Sequence, residues 1–192
     1  MNLAICISGE MRTFEDCYDS LNKYILSKFN CDIFISTWNI SENSIKENKI
    51  SKKTKNINFK KLKDIYKTSQ INLFEKPKNI NKSFLNVTMP RVLIEKEPIN
   101  HFGTIPFSYL IYQTNLMLNR YISLKNKKYH AVIHMRPDLE FKLPIPDHIF
   151  NSMNSIWTLT SPYSHRVSDR FAISNLNLIN IYASLWKKLN IY

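Results

Sequence analysis

Residues 3–9 read LAICISG, an apolar run that ends in a serine and a glycine. The run does not alternate between polar and apolar side chains, which is typical of a strand buried on both faces of a parallel sheet. Residues 31–38, CDIFISTW, and residues 129–135, YHAVIHM, have a similar character. The three stretches therefore predict neighbouring buried strands at the centre of a mostly parallel sheet.

Between the predicted strands, apolar residues recur at the spacing of an amphipathic helix. Helices are predicted at residues 14–29, 59–66, 107–124 and 175–189. Short strands are predicted at residues 71–75, 156–159 and 171–173. Strands that alternate with helices indicate an α/β protein in which helices cover both faces of a Rossmann-like sheet.

The length of 192 residues suits one domain, so residues 1–192 are predicted to form a single unit. Residues 39–57 are polar, rich in lysine and asparagine, and without any period, which predicts a mobile surface loop. Residues 78–104 are predicted to be irregular, and Pro106 is predicted to start the helix that follows.

The formal net charge of +12 raises the question of a nucleic-acid or membrane partner. Residues 41–82 contain twelve lysines and four acidic residues, so most of the excess lies in one segment. The remaining positive field suits a phosphate-bearing substrate, and no nucleic-acid partner is expected.

The chain has an odd number of cysteines without C-x-x-C spacing, which favours buried thiols in a reducing compartment over a disulfide or a zinc site. They are Cys6, Cys17 and Cys31. No apolar run approaches the ~18–20 residues that a membrane-spanning helix needs. The protein is therefore expected in the cytoplasm, with peripheral association at the inner face of a membrane left open.

The chain has two glycines, Gly9 and Gly103. Neither a G-x-G-x-x-G fingerprint nor a Walker loop can therefore be present, and the commonest α/β nucleotide chemistries are excluded. Ligands of parallel sheets bind beyond the carboxyl ends of the strands. This rule directs attention to residues 8–13, 37–40 and 135–141.

The first candidate stretch, residues 8–13, reads SGEMRT. Gly9 permits a positive φ and a close approach of a ligand to the backbone. Arg12 offers forked donors that suit a diphosphate, and Thr13 offers a hydroxyl. An ordinary turn between a strand and a helix, with an exposed arginine, explains the same residues equally well.

The second candidate stretch, residues 134–141, reads HMRPDLEF. Pro137 restricts Arg136 to extended backbone. Asp138 and Glu140 would point the same way along an extended segment, so both could bind one divalent ion, manganese or magnesium. A surface loop with a local ion pair is the alternative.

The third candidate stretch, residues 165–171, reads HRVSDRF. Asp169 could act as a general base or hold a sugar hydroxyl, or it could simply pair with Arg170. His130 and His134 lie four residues apart without the glutamate of H-E-x-x-H, which favours core histidines over a zinc site.

Taken in order, these stretches resemble a family of small glycosyltransferase-like proteins with the GT-A fold, found in bacterial surface-polysaccharide loci and in large viruses. The family pattern S-G-x-x-R-T-F matches residues 8–14, and D-I-F-I-x-T-W matches residues 32–38. V-I-R-x-R-P-D-L-x-F resembles residues 132–141, and D-x-F matches residues 169–171. The resemblance spans nearly the whole chain.

The resemblance implies a GT-A-like fold and transfer of a sugar from a nucleotide-sugar donor to a glycan, lipid-linked or protein acceptor, as in polysaccharide biosynthesis. Arg136 and Asp138 occupy the place of the D-x-D element that holds the metal and the donor diphosphate. The nucleotide would be lined by Ser8, Gly9 and Arg12. Asp169 would lie near the acceptor. This chain reads R-P-D-L-E where the family has D-x-D.

Two other interpretations remain open. One is a non-catalytic basic module that binds nucleic acid or an anionic membrane through residues 46–82. The other is a glycosyltransferase-like protein that has lost catalysis. The enzyme would need Arg136 and Asp138 and tolerate changes in the lysine-rich segment, whereas the basic module would show the reverse.

Overall fold

A computed structural model describes residues 1–42, 54–76, 101–160 and 167–189. Its strands are β1 (Asn2–Ser8), β2 (Asn30–Trp38), β3 (Ile40–Glu42), β4 (Thr54–Asn56), β5 (Ile71–Phe74), β6 (Ala131–Met135), β7 (Trp157–Thr160) and β8 (Val167–Ser174). Its helices are α1 (Phe14–Leu21), α2 (Phe59–Tyr66), α3 (His101–Lys125), α4 (Asp147–Phe150), α5 (Leu176–Ala183) and α6 (Leu185–Leu189). A π-helical turn, Asn22–Leu26, continues α1.

The main sheet has six strands in the order β5-β2-β1-β6-β8-β7. β1 pairs in parallel with β2 and with β6, and β2 pairs in parallel with β5. β8 runs antiparallel to both of its neighbours. The prediction of a mostly parallel α/β sheet with β1, β2 and β6 as central neighbours is therefore confirmed. The carboxyl ends of β1, β2, β5 and β6 meet the start of β8 at one edge, called the carboxyl edge below.

Alternate residues of the central strands face two hydrophobic layers. One layer, which contains Ile5 and Ile133, packs against α1, α2 and α4. The other layer, which contains Cys6 and Val132, packs against α3 and α5. Helices therefore cover both faces of the sheet, which explains why the central strands do not alternate between polar and apolar residues.

Most predicted helices form, but their ends differ from the prediction. The helix predicted at residues 14–29 leaves α-helical geometry after Leu21 and ends with the π-helical turn. The helix predicted to start at Pro106 starts at His101, so the proline lies inside α3 and that prediction was wrong. The last helix is divided at Ser184, whose hydroxyl donates to the Ile181 carbonyl at 2.7 Å and competes with the helical bonding.

The segment predicted as a loop is ordered at both ends. Ile40–Glu42 and Thr54–Asn56 pair as an antiparallel ribbon, with Ser41 opposite Lys55. The prediction was wrong at these ends because three-residue polar strands show no period in sequence. Residues 43–53 and 77–100, on which the other loop predictions fall, lie outside the described residues.

The three cysteines are free thiols; Cys6 and Cys17 are buried, as predicted, whereas Cys31 is only partly buried. Among the described residues, no helix is both long enough and apolar enough to cross a membrane.

Candidate functional site

The turns that follow β1 and β6 touch each other at the carboxyl edge. Gly9 has φ +129°, a backbone conformation that residues with a side chain rarely adopt. A Cβ added to Gly9 would lie 3.2 Å from Cδ of Pro137 and 3.6 Å from the ring of Phe107 on α3. The glycine thus lets the first candidate stretch pass against the second, and protein rather than open space lies on the side where a Cβ would point.

Arg136 and Asp138 form a bidentate ion pair in this edge. Nε of Arg136 donates to Oδ1 of Asp138 at 2.8 Å, and Nη2 donates to Oδ2 at 2.6 Å. The guanidinium carbon lies 5.8 Å from the centre of the Phe107 ring. The backbone N–H of Arg136 donates to the carbonyl of Arg170 at 3.0 Å, which ties the pair to β8. Both side chains remain partly exposed, at 29% for the arginine and 23% for the aspartate.

A second cluster of charges lies beside Gly9. The carboxylate of Glu10 accepts hydrogen bonds from Arg12 and from Lys76, the residue that follows β5 by two positions. Burial opposes ionisation of Glu10, but the hydrogen bonds and charges of Lys76 and Arg12 outweigh it, so the pKa of Glu10 lies below its ordinary value. The Lys76 side chain is 8% exposed, whereas that of Arg12 is 36% exposed and reaches the surface of the edge.

The two predicted hydroxyl ligands differ in burial, since Ser8 is buried and Thr13 is exposed. The Ser8 side chain is buried and its hydroxyl lies 2.8 Å from that of Thr114 on α3. The hydroxyl of Thr13 lies 3.9 Å from Sγ of Cys17, within the first turn of α1, and forms no side-chain cap. The Ser8 hydroxyl thus fixes the end of β1 to α3. The role of Thr13 as a ligand contact stays a prediction.

The predicted metal pair is not assembled as expected. Both oxygens of Asp138 accept from Arg136, and Glu140 pairs with Lys142 on an exposed surface. Burial, and then the charges of Asp138 and Glu140, raise the pKa of Cys17. Within the ranges that the structure describes, no three His, Cys, Asp or Glu side chains come together as a metal site.

Asp169 lies on β8, which enters the sheet from the carboxyl edge. Met135 pairs with Phe171, so the backbone of Asp169 is two residues nearer the edge, and its neighbour Arg170 accepts from the Arg136 N–H. Its side chain and His165 lie outside the described residues. The structure therefore places the backbone of the predicted acceptor-side carboxylate next to the Arg136 turn.

Other residues of the family-like pattern have structural positions. Asp32 lies near the start of β2, at the opposite edge, where it accepts from Tyr129 at 2.6 Å and from Lys127 at 3.0 Å. Trp38, at the end of β2, is 3% exposed and its ring stacks against Tyr109 on α3.

The two predicted core histidines differ. His134 is 2% exposed, and neither ring nitrogen has a hydrogen-bond partner in the described part of the chain. Burial lowers its pKa to about 3. His130 is exposed, and its Nε2 lies 2.9 Å from the carbonyl of Phe150. The prediction of a core histidine is therefore confirmed for His134 and wrong for His130.

Sequence reasoning missed Lys76 and Phe107 at this edge. Lys76 directly follows the INLFE stretch, so the rule about carboxyl ends of strands could have found it. Phe107 had no such signal, because its spacing fits the apolar face of a helix as well as contact with a functional arginine.

Comparison with models of known protein families finds no match, and no curated protein matches the sequence.

Proposed function

We propose that this chain is a glycosyltransferase that binds a nucleotide sugar at the carboxyl edge and transfers the sugar to a glycan, lipid-linked or protein acceptor. The observation that carries the proposal is the contact between Gly9 and the Arg136-Pro137-Asp138 turn. These residues belong to two separate stretches of the family-like pattern, and β1 and β6 place them side by side.

The charges of the edge suit a diphosphate. Arg12 and Arg136 are partly exposed there, and each is oriented by an acid, Glu10 or Asp138. Guanidinium donors that are already oriented stabilise charge as it develops, because little reorganisation is needed in the transition state. The two arginines would therefore stabilise the leaving nucleoside diphosphate.

The proposed reaction replaces one bond at the anomeric carbon by another. The acceptor oxygen bonds to that carbon, the bond to the diphosphate oxygen breaks, and its electron pair stays with the diphosphate. The acceptor hydroxyl loses its proton to a base, for which Asp169 is proposed because it directly precedes Arg170, whose carbonyl accepts from the Arg136 N–H.

Calorimetry with uridine and guanosine diphosphates and with their sugar conjugates tests the proposal. We expect binding that weakens about tenfold or more in Arg12→Gln, since a charge-assisted bond is lost. Arg120→Gln is the matched control, because Arg120 is exposed on α3 and lines a groove with β5 instead of the carboxyl edge. Failure of the folded wild-type protein to bind any of these nucleotides would overturn the proposal.

Release of nucleoside diphosphate from a bound nucleotide sugar, in the presence of candidate glycan acceptors, tests catalysis separately. Binding without release or transfer would support the alternative of a glycosyltransferase-like protein that has lost catalysis.

A further inference from the structure

A groove of about 540 Å³ lies between β5 and the outer face of α3. Residues 69–72 line one wall, and residues of α3 between Gln113 and Lys125 line the other. Gly9, Arg12 and Arg136 are not among the lining residues, so the groove is separate from the proposed nucleotide site.

The backbone of β5 has unused hydrogen-bonding groups on the side that faces away from β2. The carbonyls of Gln70 and Phe74 accept from backbone N–H groups of β2 and of the residue after it. Backbone groups of alternate residues point to the same neighbour in a parallel ladder, so those of Ile71 and Leu73 point away from β2. β5 is the last strand of the sheet, and no described strand pairs with that side. An extended peptide can add to the edge of a sheet at such a strand.

The α3 wall of the groove combines apolar side chains with cations. Leu116 is 43% exposed and Leu124 is 72% exposed. Arg120 lies between them at a spacing of four residues, so the three side chains share one face of the helix. Arg120 and Lys125 are exposed, and neither has an acidic partner in the part of the chain that the structure describes. None of the described residues that line the groove is acidic, so a complementary ligand carries a carboxylate as well as apolar groups.

We propose that the groove binds an extended acidic segment of a partner protein, which adds a strand beside β5 and places a carboxylate against Arg120. Main-chain hydrogen bonds to Ile71 and Leu73 supply affinity, and contacts with the α3 wall supply specificity. A second copy of this chain is a poorer occupant, because two chains with a formal net charge of +12 repel each other.

A phage-displayed library of random heptapeptides, selected on the immobilised wild-type protein, supplies the probes. We expect the selected peptides to combine aspartate or glutamate with apolar residues. One of them is synthesised with a fluorescent label, and its Kd is measured by anisotropy. Replacement of its acids by the corresponding amides should weaken binding several-fold, since a charge-assisted hydrogen bond is lost.

Two N-methylated forms of the same peptide test the strand addition. Each form carries methyl groups on one of the two alternating sets of backbone amides. Only one set faces β5 in an added strand, so one form should bind about tenfold more weakly or worse and the other should bind nearly as well as the parent peptide. Equal Kd values for the two forms would overturn the proposal.

Arg120→Glu reverses a charge of the α3 wall and should weaken peptide binding about tenfold or more. Lys63→Glu is the matched control, because it changes the net charge equally at an exposed position of α2, which packs on the other face of the sheet. Its Kd should equal that of the wild-type protein. Melting temperatures show whether the variants fold, and Lys125→Glu provides a second variant if Arg120→Glu does not.

A selection that enriches no acidic peptides on the folded wild-type protein would overturn the proposal. Peptides that bind Arg120→Glu as tightly as the wild-type protein would also overturn it. A wild-type dimer in sedimentation that Arg120→Glu dissociates would assign the groove to a second copy of the chain instead.

Discussion

The position of a Cβ on Gly9 lies 3.2 Å from Cδ of Pro137, a residue more than a hundred positions later in the chain. The contact joins the turn after β1 to the turn after β6, and Phe107 on α3 closes it from a third side. The packing of these turns fixes the position of Arg136, although Gly9 itself has no side chain.

Gly9→Ala is expected to destabilise the protein by about 1–3 kcal/mol, because the new Cβ combines a strained positive φ with the Pro137 contact. Ser123→Ala, at an exposed position of α3, is the control, and there alanine should be neutral or slightly stabilising because it favours helix. Thermal melting of both variants checks this. Equal melting temperatures for Gly9→Ala and the wild-type protein would contradict the packing role assigned to Gly9.

The central strands could be predicted from the sequence because a buried parallel strand must be apolar on both faces. Residues 3–8 and 131–135 show this property without any tertiary information. The convergence of Gly9 and Arg136 could also be predicted, since parallel strands end at the same edge of a sheet.

Side-chain partners were less predictable than strands. The D-x-E spacing placed Asp138 and Glu140 on one side of an extended chain, but a turn closes there instead, with the Leu139 N–H donating to the Arg136 carbonyl at 3.3 Å. That turn brings Asp138 back to Arg136, two residues earlier. Lys76 lies close enough to bind Glu10 because β5 pairs with β2. No local pattern in the sequence predicts that pairing.

Glu10→Gln is expected to destabilise the protein more than Glu15→Gln. Glu10 is 15% exposed and its loss leaves the poorly exposed Lys76 ammonium without that carboxylate, at a cost on the order of 2 kcal/mol. Glu15 pairs with Lys61 on the surface, with side chains 44% and 48% exposed, so its loss should cost less than about 1 kcal/mol. Denaturant unfolding at neutral pH measures both values.

The Glu10 comparison also has a pH dependence. The pKa of Glu10 is lowered in the folded protein, so its stabilisation is present above the ordinary glutamate pKa and is lost as the pH falls through the lower, folded value. The difference between the wild-type protein and Glu10→Gln should therefore shrink in acid. A difference that is absent at neutral pH would show that the Glu10 cluster does not stabilise the edge.

The basic-module interpretation makes a separate prediction about α2. Lys60 and Lys63 are exposed on this helix. A double variant, Lys60→Gln with Lys63→Gln, tests whether the lysine-rich segment is only a solvated surface. If it is, the free energy of unfolding should change by less than about 0.5 kcal/mol for each substitution. Nucleoside diphosphate binding should be unchanged as well. Tight RNA or anionic-vesicle binding that falls steeply with salt and is lost in this variant would favour the basic module instead.

His134 is expected to make the folded protein sensitive to mild acid. Burial lowers the pKa of His134 from 6.5 to about 3. Above about pH 6.5 the imidazole is neutral in the folded and unfolded states, so it contributes no pH dependence there. Below that pH the unfolded chain takes up a proton that the folded chain does not, and the free energy of unfolding falls by about 1.4 kcal/mol per pH unit until the folded pKa is reached.

The wild-type protein should therefore melt at a lower temperature at about pH 5 than at about pH 7. His134→Leu should flatten this dependence, because leucine fills the apolar layer beside Tyr182 and takes up no proton. It also removes two buried nitrogens that have no hydrogen-bond partner in the described part of the chain. His130→Gln is the control, because it removes an exposed imidazole and leaves the buried one in place. The melting temperature of the three proteins is measured between about pH 5 and about pH 7. If it depends on pH as steeply in His134→Leu as in the wild-type protein, the acid sensitivity comes from another group.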